Sequence, residues 1–460
     1  MAKKYKNYLL LFASLLFYAW GETQYLLLLL ISILANYFFG IVIAKTSLPK
    51  ESKSSSSSAT RFFIITFAIT FNLTLLGYFK YANFLIENLN QLLAYFSWTP
   101  ITFKKVHLPI GISFFTFHAI SYLIDIYRQK SKPQKNIFDL ALYIAFFPQL
   151  IAGPIVRYNF IEKYLNNRRH NLFFIAYGAR RFIIGMIKKV IIANPLGEVV
   201  DVIFAMPTQD LSTSTTWIGI ICYSLQIYFD FSGYSDMAVG LARIFGFKFP
   251  ENFNYPYISK SIKEFWRRWH MSLSAWFRDY VYIPLGGNRV SLSHQYFNLV
   301  LVFFLCGLWH GASWNFIIWG MFHGFFLVFE RLKIGQNFLN KLPNLAKNFY
   351  TIFVILVGWV FFRSADLTYA INYLKIMFDY VSVANNSLDL ARLIRSHFVW
   401  MSFAFAIIGF SPLIRNLSLK LIRKNKIFLT IFDLSLLVFL LLAIIRISAS
   451  THNPFIYFQF

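Results

Sequence analysis

The stretch Val300–Phe322, VLVFFLCGLWHGASWNFIIWGMF, contains one histidine and no Asp, Glu, Lys or Arg. A membrane-crossing helix needs about 20 predominantly apolar residues, so this run is read as spanning material. Gly307, Gly311, Ser313 and Asn315 interrupt it around His310. Spans or part-spans are read at Phe297–Asn315 and Phe316–Glu330, with His310 near the middle of Val300–Phe322. Runs of comparable apolarity recur at Tyr8–Trp20, Tyr25–Ala44, Phe62–Phe79, Pro109–Tyr127 and Leu172–Ala193, then at Trp217–Phe229, Tyr350–Phe362, Phe398–Phe410 and Ile427–Ile447. Membrane strands would alternate lipid-facing and lumen-facing residues, which unbroken runs such as Leu26–Leu30 do not. The sequence predicts an all-α polytopic membrane protein.

Composition agrees. The chain has 460 residues, of which 57% are hydrophobic, 20% aromatic and 14% charged. Soluble chains carry about 25% charged residues, so this one lacks polar surface for several globules. Its two cysteines, Cys222 and Cys306, lie in apolar runs, which excludes a disulfide scaffold or a Cys-rich zinc site; no metal site is expected. The formal charge is +25.

That charge falls largely in short loops. Lys45–Arg61, Arg128–Lys135, Arg157–Arg169 and Arg415–Lys426 are all strongly basic. Positive-inside bias places them in the cytoplasm. The parity closes if Leu85–Phe96 lies outside on the membrane surface and Ile137–Ile155, with Pro148, Gly153 and Pro154, is re-entrant. The last helix then delivers residues 448–460 to the outer face. The basic residues serve topology, and no nucleic-acid partner is implied.

Four features carry candidate chemistry. His310, deep in an apolar run, is costly unless it works or is hydrogen-bonded between packed helices. Imidazole suits a general base near neutral pH. Residues 261–287 read as one interfacial amphipathic helix, with Trp266, Trp269 and Trp276 on the apolar side and Arg267, Arg268 and Arg278 on the polar side. It rests on anionic lipid or, with His270 in its midst, receives the phosphates of an acyl carrier. Asp230 and Asp236 stand in apolar surroundings and need partners; they pair structurally or line a substrate path. In the tail NPFIYFQF (453–460), aromatic residues form an interfacial belt, or Tyr457 reaches back as a phenol acceptor. His323 reads as structural.

The stretches LPIGISFFTFHAISYLIDIYR (108–128), FFPQLIAGPIVRY (146–158), QIYFDFSGYSDMAVGLARIFG (226–246), FWRRWHMSLSAWFRDYVYIPLGGNR (265–289) and GLWHGASWNFIIWGMFHG (307–324) resemble the membrane-bound O-acyltransferase (MBOAT) family. They are most similar to its bacterial alginate and peptidoglycan O-acetyltransferase branch. The resemblance spans nearly the whole chain. It implies one integral-membrane domain over 1–460: a ring of about 10–12 transmembrane helices, with re-entrant and interfacial helices, around a central tunnel. It also implies that His310, in the W-H-G motif, is catalytic, and that His270 is the second signature histidine. The donor it implies is acetyl-CoA, delivered from the cytoplasm, with no tightly bound cofactor. Tyr457 is the implied first acyl acceptor. An extracytoplasmic SGNH-hydrolase-like partner would complete transfer to a glycan, across the bacterial cytoplasmic membrane.

On these expectations His310 and Tyr457 act together, His270 and its arginines line the donor entrance, and Ser313 or Asn315 steadies the oxyanion. A proton-coupled transporter, in which His310 and Asp230 carry protons, and a non-catalytic scaffold are the competing classes.

Overall fold

A computed structural model describes residues 3–46, 55–381 and 388–449. Among the described residues every regular element is helical, as the apolar runs require. Helical runs long and apolar enough to cross a bilayer are Tyr5–Lys45, Ala59–Tyr95, Leu292–His310, Asn344–Arg363 and Ile427–Ala449. The pair His397–Gly409 and Leu413–Lys424, bent by 73°, qualifies together. The first run is twice the length one crossing needs, and a 3₁₀ turn at Thr23–Tyr25 divides it into Lys3–Glu22 and Leu26–Lys45. Two further apolar helices, Ile112–Tyr127 and Trp314–Phe329, are shorter.

The chain forms two compact units. The first comprises Met1–Ile175 with Leu241–Pro250. At its centre Ile112–Tyr127 is buried on nearly every side. Gly111 starts that helix at φ +77, and a Cβ there would stand 2.5 Å from the Leu150 carbonyl oxygen, so both backbone and space call for glycine. Tyr122 meets Tyr158 edge-on at 4.7 Å, and Tyr158 meets Tyr143 at 5.2 Å. Asn36 and Asn72 exchange amide hydrogen bonds of 3.0 and 2.8 Å, which satisfies two polar groups inside an apolar helix pair.

One expectation fails in this unit. Ser55–Tyr95 is a single helix of 41 residues, so Leu85–Phe96 does not form a separate surface segment. No Gly or Pro falls between Lys80 and Tyr95 to stop it, and a polar stripe through Glu87, Asn88 and Gln91 is compatible with continued helix. The segment 137–155 is a nine-residue helix, Ile137–Ala145, capped by Asn136, followed by one turn at Phe147–Leu150 that Pro148 opens. Neither piece is long enough to cross a bilayer.

The second unit comprises Ala176–Gly240 with Glu251–Phe460. Residues 213–240 of the long helix Thr213–Ile244, the short helices over 262–277 and the hairpin Leu292–His310/Trp314–Phe329 carry Asp230, Asp236, His270 and His310.

Candidate active site

His310 is the last residue of Leu292–His310. Gly311 then runs extended, and the Ser313 side chain accepts a hydrogen bond from Asn315 N at 3.2 Å to cap Trp314–Phe329. The two helices touch backbone to backbone. A Cβ on Gly307 would lie 2.2 Å from the Phe316 carbonyl oxygen, and one on Gly320 would lie 2.3 Å from that of Phe303. Small residues permit such approach in apolar surroundings, where helix association depends on packing. The turn therefore holds His310, 5% exposed, in a ring of aromatics. Its centroid lies 4.9 Å from Trp309, 5.0 Å from Trp319 and 5.1 Å from Phe362, each edge-to-face.

His270 occupies a break, not a helix interior. The single helix expected over 261–287 is two short ones, Ile262–Arg268 and Met271–Phe277, followed by a π-helical turn at Arg278–Tyr282. His270 joins the first two at φ 42, ψ 53, the left-handed region that L residues avoid. A chain of hydrogen bonds supports the turn. Met271 N donates to the Asn252 carbonyl at 2.9 Å, and Ser272 donates through N (3.2 Å) and Oγ (2.9 Å) to Asn252 Oδ1. Asn252 Nδ2 donates to Ser235 Oγ at 3.1 Å, and Asn254 N donates to the Arg268 carbonyl at 2.9 Å. Upstream, Glu330 accepts from the backbone N–H of Ile262 (2.6 Å) and Lys263 (3.0 Å). The imidazole of His270, 2% exposed, faces Phe231 at 4.7 Å and Trp309 at 5.9 Å. The structure thus places both histidines beside one indole.

The tryptophans of this block point inward. Trp266 packs edge-on against Trp319 and His323, and Trp269 stacks on Phe265 and lies 5.0 Å from Trp359. They form a buried aromatic wall and not a headgroup-level surface: Trp266 packs on the hairpin, and Trp269 on Phe253 and Trp359. Arg267 and Arg278 remain exposed. Arg268 is held by Glu264 at 2.9 Å and donates to the Asn254 carbonyl, while Arg278 pairs with Asp279 at 2.7 Å. The hydrogen bond that Arg278 donates to Asp279 raises its guanidinium pKa above the ordinary value. Asn315 Nδ2 is committed to the Ser364 carbonyl at 2.8 Å.

Both aspartates are paired. Lys189 meets Asp230 at 2.6 Å, with the carboxylate nearly fully buried. Asp236 receives Lys188 at 2.7 Å and Arg181 at 2.6 Å, and Arg181 continues to Glu251. Lys188 and Lys189 open a π-helical turn, Lys188–Ala193, a geometry frequent at functional sites. Asp230 immediately precedes Phe231, the ring against His270. Trp309 and Phe231 lie within the quoted sequence stretches without a role assigned to them, and Asn252 and Lys189 lie outside those stretches. Lysines inside an apolar run were the available signal for the last; nothing in the periodicity marks Asn252. Tyr457 lies outside the described residues.

A sequence model of MBOAT, the membrane-bound O-acyltransferase family, matches residues 12–362, a range that contains both histidines. The chain belongs to this family. As an MBOAT member it is a multi-pass membrane acyltransferase. Among related MBOAT proteins, the probable alginate O-acetylase AlgI of Pseudomonas putida is 40% identical over 472 residues, covering 100% of this chain and 95% of that protein. The peptidoglycan O-acetyltransferase of Helicobacter pylori is 41% identical over 399 residues, covering 80% and 72%. A teichoic acid D-alanyltransferase of Bacillus subtilis is 34% identical, covering 49% and 61%.

Proposed function

We propose that the chain moves an acetyl group from acetyl-CoA in the cytoplasm to an acceptor on the outer face of the bacterial cytoplasmic membrane, for O-acetylation of an envelope or secreted glycan. Relatives named for alginate and peptidoglycan O-acetylation, each about 40% identical, support the group and the polymer class. The observation that carries the mechanism is His310 at a helix end, buried in aromatics, with His270 against the same indole.

His310 takes the proton of the accepting hydroxyl as that oxygen attacks the thioester carbonyl carbon. The C–S bond then breaks, and the thiolate recovers the proton from the imidazolium. Such base catalysis contributes about 10²–10⁴-fold. The Ser313 hydroxyl, three residues from His310 in sequence, supplies a donor for the oxyanion, whereas the Asn315 amide is held by the Ser364 carbonyl. Exposed Arg267 and Arg278 meet the donor's phosphates, whereas Trp266 and Trp269 shape the wall between donor and His310. Asp230 and Asp236 act through their ion pairs, by fixing the helix that carries Phe231. Tyr457, on a tail at the outer face, is the first acceptor, and an SGNH-hydrolase-like partner passes the acetyl group to the glycan.

The test supplies labelled acetyl-CoA to the cytoplasmic side of sealed vesicles. The proposal expects covalent label on the chain at Tyr457, lost in Tyr457→Phe, and on the glycan when the partner is present. Wild-type transfer by Tyr457→Phe contradicts the relay. Solute flux without acyl transfer supports the transporter class instead.

A further inference from the structure

In the first unit, a pocket of about 590 Å³ opens where two apolar helices, Leu26–Lys45 and Ile112–Tyr127, reach their last turns. That volume falls within the range of small-molecule sites, about 300–1,000 Å³. Ala44 and Ile126 form its apolar side. The loop Gln129–Lys132 forms the polar side, and Glu162, from the helix Tyr158–Asn166, lines it as well. The loop is fixed: Gln129 adopts a left-handed φ of 55, and its N–H donates to the Ile126 carbonyl at 2.9 Å. Lys130 N and Ser131 N both donate to the Asp125 carbonyl, at 2.8 and 3.3 Å. Lys130 and Lys132 are exposed. The Ser131 hydroxyl is buried and has no hydrogen-bond partner in the protein.

We propose that this pocket binds the phosphodiester headgroup of a membrane phospholipid that itself carries hydrogen-bond donors, phosphatidylglycerol or phosphatidylethanolamine. The location argues for a lipid. Where apolar helices end, the bilayer's headgroup layer begins, and a pocket with one apolar and one basic side matches the boundary between acyl chain and phosphate. Lys130 and Lys132 meet the phosphate, and the Ser131 hydroxyl donates to one of its oxygens. Glu162 would repel a bare anion. It accepts from the glycerol hydroxyls or the ammonium of these two headgroups, a match that a choline headgroup cannot make. The site is independent of acyl transfer.

The test is native mass spectrometry of the full chain, purified in detergent and titrated with short-chain phosphatidylglycerol, phosphatidylethanolamine or phosphatidylcholine. Lys130→Gln/Lys132→Gln replaces two exposed side chains, and an unchanged unfolding temperature will show that the fold is intact. Losing two charge-assisted contacts at an exposed rim should weaken the tightest site about tenfold. Glu162→Gln should remove the preference for the two donor-bearing lipids over phosphatidylcholine. Equal binding by wild type and the double lysine variant overturns the site. Displacement of the lipid by millimolar inorganic phosphate overturns the lipid assignment, and equal wild-type binding of phosphatidylcholine overturns the role of Glu162.

Discussion

His270 and His310 contact the same indole: the Trp309 ring lies 5.9 Å from one imidazole and 4.9 Å from the other. The two histidines come from separate segments, one at a left-handed break between short helices and the other at the end of a long one. Trp309 therefore couples two positions that have no local reason to be close.

Trp309→Phe keeps an aromatic ring between the histidines, and Trp309→Leu removes it. Acetyl transfer in membranes should survive, reduced, in the first and fall at least tenfold further in the second. Replacing a buried Trp by an aliphatic also costs stability, up to about 3–5 kcal/mol for full truncation. Transfer must therefore be normalised to folded protein, measured by thermal unfolding in detergent.

The backbone at His270 separates strain from chemistry. Both His270→Gly and His270→Ala lose the imidazole, but only glycine adopts φ 42 without cost. The glycine variant should be the more stable by about 1 kcal/mol, with both equally impaired in transfer. An alanine variant as stable as glycine would show that the turn relaxes.

Gly307→Ala tests the hairpin that holds His310. The added Cβ would meet the Phe316 carbonyl oxygen at 2.2 Å, and a backbone atom cannot swing aside as a side chain can. The helices must separate, so transfer should drop sharply while the chain remains inserted, read by activity beside membrane fractionation.

Asp230→Asn leaves Lys189 facing a neutral group in a buried setting, a change worth about 3–5 kcal/mol when one partner of such a pair is removed. Asp230→Asn/Lys189→Met should recover much of that loss. A double variant no more stable than the single one would mean that Asp230 serves something other than the pair.

The architecture was legible because the bilayer imposes a length and an apolarity that a sequence cannot hide, as Val300–Phe322 illustrates. Where the expectation failed, the cause is local. Leu85–Phe96 was separated from its helix because its polar residues resemble a surface segment, yet no breaker stands before it, and helical hydrogen bonds continue through Tyr95. Ser261–Gly287 has helical spacing throughout, which concealed the break at His270. Clamping by Asn252, far away in pattern though near in sequence, holds that turn, and periodicity carries no trace of it. His310 could be singled out because a histidine in an apolar run is rare. Trp309 stands beside it in the same W-H-G motif, but its contact with both imidazoles was not legible, because an aromatic residue in an apolar run is ordinary.

The central claim is that His310 removes the acceptor's proton. The most direct measurement is transfer of labelled acetyl from acetyl-CoA by His310→Ala in membranes where insertion equals that of wild type. The account predicts loss of about 10²-fold or more, with the donor still bound. Transfer at the wild-type rate would contradict it.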